Sequence, residues 1–216
     1  MAGILDLLNS DLGKQIISGV AGSTGTDSGK AGNVLTMALP VLMKAMERNT
    51  ATPEGAQGLQ NALENKHDGS ILDNLGGFFG GGVDDAVKQD GAGILKHVLG
   101  AKQSGVEQII GQKSGLDAGA VGNILKVAAP ILMGVLGKQK REQNITDSNG
   151  IGGLLGGLLG GASNSGPVTT EQSFLEKILD ADGDGSVIDD VAGMFLGGAE
   201  KKSGGLGGML GGLFGK

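Results

Sequence analysis

The sequence predicts an all-α fold, and three observations predict it. Apolar residues recur at helical spacing, as at Leu12, Ile16, Ile17 and Val20. Helix-start residues stand before such runs: Asp27, Asp117, and Thr52 followed by Pro53. No run of β-branched residues alternates with polar ones, as a half-buried strand would.

Taken in order, the first elements are a short helix in AGILDLLNS and a second in DLGKQIISGVAG. Asp27 then caps a long helix that runs to about Arg48 and carries Pro40 in its interior. A proline there removes one backbone hydrogen bond and bends the helix, so a kink is expected. Thr52 and Pro53 open the next helix, with Leu59 and Leu63 on one face. The last helix is expected to start at the DGS triplet of Asp68 to Ser70, with Ser70 and Asp73 as its capping pair.

These elements recur. GKAGNVLTMALPVLM, Gly29 to Met43, parallels GAVGNILKVAAPILM, Gly119 to Met133, ninety residues on. The match extends to AGIL at Ala2 and Ala92, to Asp27 and Asp117, and to Pro40 and Pro130. HDGSILDNLGGFFGG, from His67, parallels GDGSVIDDVAGMFLG, from Gly183. The larger offset of this second pair fits a Gly-rich insertion at about residues 150–167. The expected organisation is therefore two tandem copies of a small helical module with Pro-kinked central helices, residues 1–90 and 91–200, followed by a Gly-rich tail at 201–216. In the second copy Leu175 and Leu179 stand for Leu59 and Leu63, behind a capping pattern of Thr169 and Gln172.

Composition narrows the function. The 216 residues include 45 glycines, far above the usual share of about 7%. Cys, Trp and Tyr are absent, so the core must come from small and aliphatic side chains, and thiol chemistry is excluded. A net charge of -6 and the lack of a basic stripe argue against nucleic-acid binding. The one basic cluster, KQKRE at Lys138 to Glu142, suits a helix C-terminus. No basic, apolar leader stands at the start, and the most apolar run, Val34 to Met43, is ten residues against the roughly 20 a spanning helix needs. A cytoplasmic location is the default expectation, and signal-less export stays open.

The acidic loop of residues 180–190 carries the one candidate ion site. Asp180, Asp182 and Asp184 occupy positions 1, 3 and 5 of a calcium loop, Gly185 the turn at 6, and Ser186 the carbonyl position at 7. Position 12 is Val191, so a bidentate carboxylate there is missing; Asp189, Asp190 or Glu176 could replace it. The competing reading is helix capping by Ser186 and Asp189, as in the first copy, where Glu64 and Lys66 replace the first two aspartates. An all-oxygen acidic set suits Ca²⁺.

The segments from Gly150 to Ala162 and Gly204 to Lys216 place glycines four apart. Three readings compete: a flexible linker and tail, a helix–helix or self-association face, and a membrane-active insertion. No Walker, HExxH or GxSxG pattern occurs, and His67 and His97 lack obvious partners in the sequence, so both read as partly exposed structural histidines. Clustered carboxylates without Trp or Tyr platforms do not suggest a glycosidase.

Together GNVLTMALPVLM, GNILKVAAPILM and LDADGDGSVIDDVAGM resemble the bacterial domain-of-unknown-function family 937, through about Gly198. The resemblance implies a bacterial helical protein and supplies no catalytic residues. The expected function is a non-enzymatic, calcium-binding helical scaffold or self-associating structural protein, with a homo-oligomer or another protein as partner. The alternatives are a membrane-active protein and a small-ligand-binding module with its pocket between the repeats.

Overall fold

Asp27 and Asp117 do the same work at the starts of the two longest helices. Each carboxylate accepts a hydrogen bond from the backbone N–H three residues on, Lys30 at 3.0 Å and Ala120 at 2.9 Å. In the computed structural model, which describes residues 3–160, the elements are α1 (Ile4–Asn9), α2 (Asp11–Thr24), α3 (Ser28–Asn49), α4 (Pro53–Asn65), α5 (Leu75–Gly80), α6 (Asp85–Leu99), α7 (Gln103–Ser114), α8 (Ala118–Glu142) and α9 (Ser148–Gly160). Short 3-10 turns, Ser70–Asn74 and Gly100–Lys102, precede α5 and α7. Among the described residues there is no strand.

Other features also recur ninety residues apart. Helices α2 and α7 both end on a left-handed glycine, Gly25 at φ 66° and Gly115 at φ 69°, which lets the chain reverse into the next cap. Pro40 and Pro130 both lie buried inside continuous helices.

One hydrophobic cluster runs from Ile4 in α1 to Leu158 in α9. Helix α8 is its axis, packed against α2, α3, α4, α6, α7 and α9. Ile124, Leu125, Ala129 and Leu136 on α8 are fully enclosed. A division at residue 90 falls inside α6, whose 15 residues continue without a break from 85 to 99. The ten-residue run Val34 to Met43 lies in α3, and the longer apolar stretch is α8. Its 25 residues are long and apolar enough to cross a membrane, yet 78% of its most apolar window is buried inside the protein, as in a core helix.

Pro130 and Gly91 explain how α6 comes to lie against α8. Proline has no N–H, so the carbonyl four residues earlier, Lys126, loses its helical partner. The Gly91 backbone of α6 sits against that carbonyl so closely that a Cβ there would overlap the oxygen. A Cα–H···O contact thus covers the group that the proline leaves open.

The first Gly-rich segment is a helix and part of the core. Ile151, Leu154, Leu155 and Leu158 of α9 are buried, and the helix packs against α3, α4 and α8. Asp147 holds its start by accepting from Gly150 N–H at 2.8 Å. Gly costs about 1 kcal/mol per helical position, and burial of four large apolar side chains offsets this, each contributing roughly 1.5–3 kcal/mol. Of the readings open for the insertion at about 150–167, the described part, through residue 160, is a helix packed on other helices.

Candidate ligand groove

The residues linking α4 to the 3-10 turn form a strap, 66–69, that crosses α8. Glycines on α8 make the crossing possible: a Cβ at Gly137 would overlap the His67 carbonyl, and one at Gly134 would overlap the Ile71 side chain. On the strap Gly69, at φ 101°, lies against Lys138. Two ion pairs tie the strap region to the end of α8. Glu64 meets the buried Lys140 ammonium at 2.8 Å, and Asp68 meets Arg141 at 3.6 Å. The Lys140 and Gln60 side chains hydrogen-bond to Glu64 and hold its carboxyl below the usual range. Asp68 is lowered as well, first by the Ser70 backbone N–H, 3.0 Å from its carboxylate, then by the Ser70 hydroxyl and Arg141.

This corrects the expected cap. Ser70 is the first residue of the 3-10 turn and makes no cap hydrogen bond of its own, and Asp73 is exposed within that turn. The oxygen at the turn's start comes from Asp68, because Gly69 turns the chain between Asp68 and the Ser70 N–H. Ser186 and Asp189, the equivalent pair, lie outside the described residues. So do the calcium candidates Asp180, Asp182, Asp184, Ser186, Asp189 and Asp190. Among the described residues no three His, Asp or Glu side chains converge on a metal position.

His67 is where the strap meets α6. It is 9% exposed, not the partly exposed residue expected, and its Nε2 faces Asp90 Oδ2 across 3.4 Å. Burial pushes the imidazole below its ordinary pKa; Asp90 opposes that shift, and Lys66 adds to it. The Ser70 hydroxyl is engaged with Asp68, and no nucleophile hydrogen-bonds to His67 among the described residues.

Two grooves open beside this pair. The larger, about 370 Å³, runs between α4 and α6. Its apolar walls include Leu59, Ala62, Ile94 and Val98, above Met46 of α3 and Met133 of α8. His97, exposed on α6, stands in the same groove, and its carbonyl accepts from the Asn49 amide at 3.3 Å. The smaller groove, about 280 Å³, is lined by Ile71, Ala86, Val87 and Pro130. Lys66, His67 and Asp90 line both. Both histidines of the chain thus lie on one groove. The sequence placed His67 beside the DGS motif but carried no sign of Asp90, which α6 brings over from a different element.

Against known proteins, residues 6–139 match the profile of a family described as "Bacterial protein of unknown function (DUF937)". The chain belongs to this family. The matched stretch of the DUF937 protein takes in the strap, both grooves and nearly all of α8. No curated protein and no solved structure matches it.

Proposed function

We propose that this DUF937 protein is a non-enzymatic helical module that binds a small, mainly apolar ligand in the groove between α4 and α6. The observation that carries this reading is the groove itself: an apolar cleft of about 370 Å³, with both histidines of the chain at its margins. Gly58 of α4 and Gly93 of α6 line it, and a Cβ at either would meet nothing within 4 Å. No packing contact requires a glycine at these two positions, and in a helix each costs about 1 kcal/mol relative to Ala. The effect of both is to keep the cleft open.

The test fills the cleft without weakening the fold. Anilinonaphthalene sulfonate is a suitable probe, because the chain has no Trp or Tyr emission to interfere. The wild type is expected to enhance its fluorescence saturably. A Gly58→Leu, Gly93→Leu variant should lose at least about tenfold in affinity, with no fall in melting temperature, since both changes favour helix. Undiminished binding by that variant would refute the assignment.

In this reading the scaffold arose from two copies of one helical module. The matched caps, left-handed glycines and internal prolines of α2–α3 and α7–α8 support it. Calcium binding at residues 180–190 remains a proposal from the sequence, supported by the alternating Asp180, Asp182 and Asp184. Titration calorimetry should show heat with wild type and none with Asp182→Ala, Asp184→Ala; a silent wild type removes the ion. Self-association through glycine-rich faces is likewise a proposal, and a concentration series by size-exclusion chromatography tests it.

A further inference from the structure

An apolar–Gly–Gly–apolar–apolar–Gly–Gly pattern stands in three places along the chain: LGGFFGG at 75–81, IGGLLGG at 151–157 and LGGMLGG at 206–212. The first two fall in α5 and α9, and each docks by its apolar residues. Leu75 of α5 is buried, and the Phe79 ring fills the space where a Cβ at Gly19 of α2 would stand. Ile151, Leu154 and Leu155 of α9 are buried, and that helix packs on α3, α4 and α8. The third place lies outside the described residues, and there the match is longer. Residues 206–215 repeat residues 151–160 with glycine at the same five positions and apolar side chains at the other five. Leu206, Met209, Leu210 and Leu213 stand where α9 has the four residues that it buries.

The larger groove is a seat of the same make. Its floor is Met46 of α3 and Met133 of α8, and one wall is α4: the three helices that also hold α9. Helix α6 supplies the other wall, and no residue of α9 lines it. On the walls Gly58 and Gly93 offer what Gly19 offers Phe79, a place without a side chain of its own. We infer that this groove is the docking site of residues 206–215 of the same chain, which enter as a further copy of the α9 pattern, and that the small apolar ligand binds by displacing them. The ligand part of the inference rests on the groove reading above. The mode is that of an apolar helix face laid into a groove, with anchors at i, i+3, i+4 and i+7: Leu206, Met209, Leu210 and Leu213. The seat that α9 occupies is already filled, so the second segment with its pattern takes the groove that α3, α4 and α8 leave open beside α6. Residues 161–205 can span up to about 3.3–3.6 Å each, which is ample reach.

The experiment uses the full-length protein with ¹³C-methyl methionine, since Met46 and Met133 line the groove and Met209 belongs to the docking face. A Leu210→Asp, Leu213→Asp variant is expected to move the methyl resonances of Met46 and Met133. It should also bind anilinonaphthalene sulfonate about tenfold more tightly than wild type, the gain when a groove free in roughly a tenth of molecules becomes free in all. In the Gly58→Leu, Gly93→Leu background that gain should vanish, which separates the groove from dye bound to the released segment. Filling the groove in this way should by itself move the Met209 resonance. Unchanged Met46 and Met133 resonances, with the dye held no more tightly than by wild type, overturn the docking and leave the groove as a ligand site. Resonances that move while neither protein binds the dye uphold the docking and refute the ligand reading. Positions that change with protein concentration overturn the same-chain assignment, because the segment then comes from a second copy.

Discussion

His67 shows how a residue that looks ordinary in sequence gains a role from what covers it. Its neutral form is favoured in the folded protein, because burial outweighs the attraction of Asp90. In the unfolded chain the imidazole titrates near its ordinary value of about 6.5. Between the folded pKa and that value the unfolded state binds more protons, so stability rises with pH across the interval. The contribution is complete above about pH 6.5 and is lost as pH falls through the lowered folded pKa. Glu64 and Asp68, both lowered, lose theirs in a separate window below about pH 4.5. Melting temperatures from pH 7.5 to 3 should therefore fall in two stages, and His67→Gln should remove the upper stage alone. A variant that keeps the upper stage would show that another group causes it.

At the scale of elements, the strap and α8 form a matched pair. Glycine at 134 and 137 is what lets backbone lie on the helix surface. In α3 the positions ninety residues earlier are Lys44 and Glu47, which pair with each other at 2.6 Å and leave no room for a strap. Two helices alike in cap, proline and length therefore present different surfaces: α8 seats the strap, and α3 receives α9. A methyl at Gly137 must displace the His67 carbonyl, so Gly137→Ala should cost about 1–3 kcal/mol, as overpacking does. Denaturant melts measure this, and a neutral or stabilising outcome would mean that the strap shifts freely. The helix caps Asp27 and Asp117, the internal prolines and the helical face of α2 were legible in the sequence, because each depends on residues within a turn or two. The role of residues 148–160 was not, since glycine content argues for a flexible linker and only the buried surfaces of α3 and α4 offset its cost.

For the whole molecule, the decisive fact is that the repeated segments share one core. Val34, Leu35 and Leu42 of α3 are fully buried, and α3 packs against α6, α7, α8 and α9 as well as α2. A fragment of residues 1–90 would end inside α6 and lose the α8 axis. It should show little cooperative unfolding and weak helical circular dichroism; a cooperative melt would show that residues 1–90 fold without α8. Sequence alone was enough for the helical class, the paired long helices and their starts, because periodicity and capping act over a few residues. The folded structure decided that α6 lies on the carbonyl freed by Pro130, that the strap rests on Gly137, and that His67 faces Asp90 between two grooves. Those contacts join backbone and side chains far apart in the chain, where close approach is set by the packing of whole helices and leaves no pattern in local spacing.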